Sequence, residues 1–224
     1  MRAIPNPLVL WARGRFQPGK SIPCLQKAGR SILELIETID TPPLHRMLWR
    51  IFREREVVAR FWTMPASARH HHALPGGLAV HSLEVARDLA GQAAVGGHER
   101  DLCIAAGLLH DIGKVWSYTP DMFLNTAARA MGHELVGLSR LERELKIIES
   151  ERTDADYDIR VLLSGCGRMR QDGSMPSALV ARLKAADQRS CELERNGRDP
   201  KQAWKPNRWL PPPPPDIDPA IRTD

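Results

Sequence analysis

Leu108 to Lys114 reads LLHDIGK, which places a histidine and an aspartate, His110 and Asp111, side by side where an apolar run ends. Burying a carboxylate beside an imidazole is costly unless a cation or strong hydrogen bonds satisfy both. A divalent metal ion does so, with Asp111 and His110 as hard and borderline ligands. Two more donors lie elsewhere: His81 on the preceding helix, and Asp187 in LKAADQ, where Leu183 and Ala186 face inward. Taken singly, any of the four reads as a hydrogen-bonded core residue. As a set, four ligands from three helices suit an ion held within a bundle. RHHHALPGGLAVH, Arg69 to His81, adds a triplet, His70, His71 and His72, open to three readings: metal ligands, phosphate contacts or a surface feature.

Helices must position these groups. Apolar residues fit one helix from Cys24 to Ile39 and a second from Leu44 to Trp62, stopped by Pro65. Gly76 and Gly77 allow a sharp turn into a third, Leu78 to Ala94, which Gly96 ends. Glu99 to Ile112 is small and apolar nearly all round, a buried central helix with Gly113 in the position of a C′ glycine. Val115 to Thr126 lacks a period and reads as a loop beside the site, a candidate lid. A stripe from Met131 to Ile148, a shorter helix over Tyr157 to Leu163, and a last one from Pro176 to about Glu194 complete the set. No segment alternates with period two, so the fold class is all-α with about seven helices.

The 224 residues, 42% hydrophobic, can bury one substantial core. The expected division is an N-terminal segment at 1–23, a helical core at 24–195 and a proline-rich extended tail at 196–224. Eight of the 18 prolines lie in the tail, five in a row from Pro211 to Pro215, which implies polyproline II, read as a linker, a ligand for a protein partner or a strap. A net charge of +5, from 32 basic and 27 acidic residues, permits an anionic partner without demanding one. Cys24, Cys103, Cys166 and Cys191 form no C-x-x-C pair and read as free thiols in a reducing cytosol. The run Pro7 to Ala12 is too short for a signal peptide or a membrane span. A soluble, cytoplasmic protein with no membrane partner is expected.

His81, then His110-Asp111 before Ile112-Gly113-Lys114, then Asp187 resembles the pattern of the HD-domain superfamily of metal-dependent phosphohydrolases. From about Phe61 to Glu194 the likeness narrows. MPASARHHHALPGGLAVHSLEVA, AAGLLHDIGK, GHELVGLSRL and LKAADQRS resemble, in order, the HD region of MobH-type (TraI) conjugative relaxases, and more distantly HD-domain 3′-to-5′ exoribonucleases. The resemblance implies an HD-domain helical bundle in which His81, His110, Asp111 and Asp187 hold Mn, Fe, Ni, Mg or Zn. It also implies that a two-metal enzyme would draw further histidines from mid-domain. His133 in MGHEL matches the first of those positions, whereas Ser164 and Cys166 stand where a His-His pair is usual, so one ion is expected and a second stays open. Cys166 as a thiolate, or His71 and His72 swung over the site with His133, are the two ways to complete it.

A divalent cation lowers the pKa of its water from 15.7 towards about 7 and polarises a phosphoryl oxygen, so hydroxide attack on phosphorus is the reaction implied. Asp111 anchors the ion and can bridge to a second. Lys114 either offsets phosphate charge or is a solvated cation complementing the helix dipole. His71 and His72, as imidazolium, would bind the phosphate or act as general acid. Arg69, His70 and Gln188 are assigned to substrate binding. Trp116 and Tyr118 either stack on a base or pack on the core; His45 and His98 receive no role. The substrate class is a nucleotide or single-stranded nucleic acid. The alternatives are a non-catalytic DNA- or partner-binding module of a conjugative or mobile-element system with a structural metal, and a nucleotide sensor.

Overall fold

The computed structural model describes residues 23–67, 71–93, 97–119, 122–164 and 178–196. The N-terminal segment, Arg69, His70, Gly96, Cys166, Pro176 and the proline-rich tail lie outside the described residues.

The described chain is an all-α bundle of nine helical segments: α1 (Pro23–Glu37), α2 (Pro42–Ile51), α3 (Arg55–Arg60), α4 (Gly77–Gln92), α5 (His98–Leu109), α6 (Lys114–Ser117), α7 (Thr126–Glu151), α8 (Thr153–Leu163) and α9 (Ala178–Asn196). Two exceed the expected seven. The second expected helix is α2 plus α3, because the chain turns at Phe52 and the Glu54 carboxylate restarts it by accepting from the backbone N–H groups of Glu56 and Val57 at 2.9 and 3.0 Å. Phe52, Phe61 and Trp62 fill this corner with edge-on contacts, the Phe52 and Phe61 rings 5.1 Å apart.

The other addition, α6, lies in the expected loop. That loop is tied rather than free: Tyr118 and Leu124 form an isolated antiparallel bridge, Thr119 N–H donates to Phe123 O at 2.8 Å, and the Asn125 amide donates to Trp116 O at 2.6 Å. Asn125 Oδ1 also accepts from Ala128 N–H at 2.9 Å, so α7 starts several residues before the stripe that signals it.

α4 and α5 form the centre, with α9 packed against both and α7 and α8 as an antiparallel pair alongside. Glycines set two approaches. A Cβ on Gly107 of α5 would lie 2.3 Å from Ala86 Cα of α4, and one on Gly113 would lie 1.9 Å from His133 O. Gly113 is therefore corrected from a C′ glycine to a contact glycine: its φ of −59° is helical, and what it lacks is room for a side chain. Gly132 does need its freedom. Its φ of +81° breaks α7 just before His133.

The core is aliphatic, with Ile32, Leu48, Leu78, Leu89, Ile104 and Leu108 all inaccessible or nearly so. Among the described residues, no helix is long and apolar enough to cross a membrane.

Candidate metal centre

His81 is fully buried on the inner face of α4. Its Nδ1 lies 2.9 Å from Ser190 Oγ, and that hydroxyl donates its only proton to Glu84 Oε2 at 2.7 Å. The serine oxygen can therefore only accept from His81, which puts the proton on Nδ1 and leaves the Nε2 lone pair facing the site. His110, at the end of α5, is set the same way. Its Nδ1 lies 2.9 Å from Gly107 O, an acceptor only, and burial lowers its pKa so that it is neutral.

The two Nε2 atoms are 3.2 Å apart. For neutral rings this sets lone pair against lone pair, and carboxylates crowd the same point. Asp187 Oδ1 is 3.1 Å from His81 Nε2 and 3.9 Å from His110 Nε2; Asp111 Oδ2 is 3.5 and 3.6 Å from them. A shared cation would satisfy such an arrangement, and donor atoms of His81, His110 and Asp187 all lie within 4.8 Å of one another. Two imidazoles and two carboxylates fit a borderline or hard divalent ion.

Asp111 is further constrained. Lys114 Nζ donates to its Oδ2 at 2.6 Å and to Ala66 O at 2.7 Å, while His133 Nε2 lies 2.9 Å from its Oδ1. Burial would raise the Asp111 pKa, but the Lys114 ammonium above all, with the His133 hydrogen bond, holds it well below the carboxylate range. Burial would lower that of Lys114, and the Asp111 charge raises it instead. The solvated-cation reading of Lys114 is thus corrected: the side chain is about 10% exposed and ion-paired. An ionised Asp111 can only accept, so His133 donates to it.

A cavity of about 340 Å³ opens on these groups. His71, His110, Asp111, Lys114, His133, Glu134, Lys184 and Asp187 form its polar wall; Leu162, Leu163 and Leu183 form an apolar one.

The histidine triplet divides. His71 lines the cavity with its ring 5.2 Å from that of His81. Burial first, with the His81 ring and the Lys114 ammonium beside it, pushes its pKa down to about 4, so near neutral pH it is an uncharged imidazole and not the imidazolium expected. His72 turns the other way. Only 5% exposed, at φ +46°, it places Nε2 3.1 Å from Glu84 Oε2 and leaves Nδ1 buried without a hydrogen-bond partner among the described residues. The expectation that His72 swings over the site is corrected; it stands behind His81 in a chain running His72, Glu84, Ser190, His81. The loop holding both is closed on itself, with Ala66 N–H donating to His72 O at 3.1 Å and Leu78 N–H to Met64 O at 3.0 Å. Gly77 admits that closure, since a Cβ there would lie 1.9 Å from His72 O.

Three other residues lie elsewhere. Trp116 and Tyr118 pack against the core, and the Tyr118 carbonyl accepts from Arg60 at 2.7 Å. Gln188 is exposed and donates to Glu192 at 2.8 Å. None of the three lines the cavity, because on α9 Gln188 follows Asp187 and so points about 100° away from it.

Sequence reasoning missed Glu84, Ser190, Lys184, Glu134 and Cys191. Glu84 and Ser190 each follow a ligand by three residues, the spacing that shares a helix face, and that was the available signal. Cys191, one turn beyond Asp187, holds Sγ 3.8 Å from its Oδ1, and burial pushes the thiol up to about 11.

An all-helical bundle bringing two imidazoles and two carboxylates to the floor of a cavity is the form of a divalent-metal hydrolase centre. Residues 78–190, just over half of the chain, match the model of the HD domain, and the chain belongs to that family. All four proposed ligands fall within the matched span. No curated protein and no solved structure gives a significant match.

Proposed function

We propose that this chain is a metal-dependent phosphohydrolase acting on phosphate esters of nucleotides or of single-stranded nucleic-acid ends. The observation that carries the reading is the pair of Nε2 atoms 3.2 Å apart, tautomers fixed from behind, between Asp111 and Asp187. His81, His110, Asp111 and Asp187 would hold one divalent ion of the Mn, Fe, Ni, Mg or Zn class. Such an ion supplies Lewis acidity towards a phosphoryl oxygen and an acidified water.

The chain's own residues do the rest. Lys114 is held by Asp111 and Ala66, so its charge is fixed at the cavity wall with little entropy left to lose when a phosphate arrives. Lys184 adds a second, freer cation on α9. His71, neutral and half-buried, can take a proton from an attacking water through its free ring nitrogen and pass that same proton on to a leaving oxygen. His133 steadies Asp111. The leucine wall shields one side of the phosphate from water and offers an apolar surface to the rest of the substrate.

With a divalent ion held by Asp111 and Asp187, Lys114 and Lys184 would outweigh Glu134 at the cavity wall and favour an anionic substrate, in keeping with a nucleotide or strand end. The likeness to MobH-type relaxases and exoribonucleases rests on motif wording alone and favours the strand end.

The test is a panel of p-nitrophenyl phosphate, bis-p-nitrophenyl phosphate, mononucleotides, cyclic dinucleotides and short oligonucleotides, assayed with each metal. Turnover lost in both His110→Ala and Asp187→Asn is expected. Metal binding without turnover on every substrate would favour a sensor or binding module instead.

A further inference from the structure

His71, His81 and Cys191 converge from three parts of the chain: the loop before α4, α4 itself and α9. Their donor atoms lie within 4.8 Å of one another. Tetrahedral bonds of about 2.0–2.3 Å put donors roughly 3.5 Å apart, so side-chain adjustments of about an ångström would close this trio on one ion. Asp187, with its oxygen 3.8 Å from Cys191 Sγ, stands where a fourth ligand is needed.

We infer that His71, His81 and Cys191 form a second cation site, selective for thiophilic ions such as Zn²⁺ or Cd²⁺, that excludes the first because both need His81. One sulfur and two imidazoles select softer ions, while Mn²⁺ and Mg²⁺ prefer the carboxylate-rich pair of Asp111 and Asp187. Binding there releases the thiol proton to solvent. Exclusion follows whichever nitrogen of His81 is used. If the ion takes Nε2, the first site loses a ligand. If it takes Nδ1, the Ser190 hydrogen bond breaks and the proton moves to Nε2, covering the same lone pair. Thiophilic cations therefore switch the centre off by moving one ligand sideways. This inhibitory consequence rests on the hydrolase reading; the site itself does not.

The experiment uses the full chain, stripped of metal by a chelator and dialysed, then titrated with Cd²⁺ and with Co²⁺ in the absence and presence of Mn²⁺. A sulfur-to-metal charge-transfer band saturating at one equivalent is expected, with Mn²⁺ weakening the apparent affinity. Cys191→Ser should abolish the band, and His71→Ala should weaken binding at least tenfold. In the wild type, Zn²⁺ beyond one equivalent should inhibit Mn²⁺-supported turnover, and Cys191→Ser should raise the inhibitory concentration at least tenfold with turnover within about twofold of wild type. Cys191→Ala is the second variant if the serine form does not fold. No sulfur band in the wild type, or a band that survives loss of Cys191, overturns the site. A band without turnover on any substrate would sink the hydrolase reading and leave the site standing.

Discussion

His81 presents a lone pair to the centre only because Ser190 fills its Nδ1 side, and Ser190 is in turn oriented by Glu84. Outer partners of this kind govern metal affinity by about 10- to 100-fold. Ser190→Ala should therefore weaken Mn²⁺ binding by that factor in calorimetric titration, and Ser190→Thr should restore most of it; equal affinity in all three forms would show that the hydroxyl sets nothing. Lys114 makes a different case. Removing one partner of a buried ion pair strands the other, so Lys114→Met should cost about 3–5 kcal/mol in urea denaturation of the metal-free protein. The pair also has a pH signature. The folded-state pKa of Asp111 lies below its ordinary value of 3.8, so its contribution is complete above that value and is lost as pH falls through the folded one. Lys114 is raised above 10.5, so its contribution is complete below that value and fades only in strong base. Metal-free wild type should lose stability below about pH 4, and Asp111→Asn should lack that share of the acid loss.

Secondary elements are held at their distances by glycines that act through space. A Cβ on Gly113 would meet His133 O at 1.9 Å and Gly137 N at 2.8 Å, both backbone atoms that cannot yield without moving α7. Gly113→Ala should cost about 3 kcal/mol or more and shift His133 off Asp111. Gly91, near the end of α4, has nothing within 4 Å of an added Cβ. There alanine should gain about 0.5–1 kcal/mol from helix propensity alone. Thermal unfolding of the two variants side by side checks both, and similar effects at the two positions would contradict the contact argument. α9 is fastened to the centre differently, by Arg189 to Asp88 at 2.7 Å and Arg182 to Glu99. These pairs are partly exposed and worth little in free energy; the buried Val180, Leu183 and Ala186 set which face of α9 turns inward and so where Asp187 stands.

At the scale of the whole molecule, an ion bound by His81, His110, Asp111 and Asp187 would tie α4, the end of α5 and α9 together. A ligand at a hundred times its dissociation constant stabilises by roughly 2.7 kcal/mol, or about 5–10 °C for a chain of this size. Chelation should lower Tm by that amount in wild type and leave Asp187→Asn unchanged. The sequence itself held the helices and the candidate ligand types, because apolar spacing along α4, α5 and α9 is local and a histidine beside an aspartate on an apolar run is costly wherever it lies. Gly113 reads from sequence as a helix stop, since its true neighbour, His133, is 20 residues away. Trp116 and Tyr118 read as either base-stacking or core-packing aromatics, since nothing local tells a core-facing aromatic from a cavity-facing one; the structure packs both on the core. The roles of His71 and His72, identical in type and adjacent in sequence, were decided by tertiary structure alone. One faces Lys114 and the cavity and the other faces Glu84, because the loop closes at Gly77. The same holds for Ser190, 109 residues from the histidine it orients. Hydrogen bonds over such separations depend on how helices pack, and packing is a property of the folded chain as a whole.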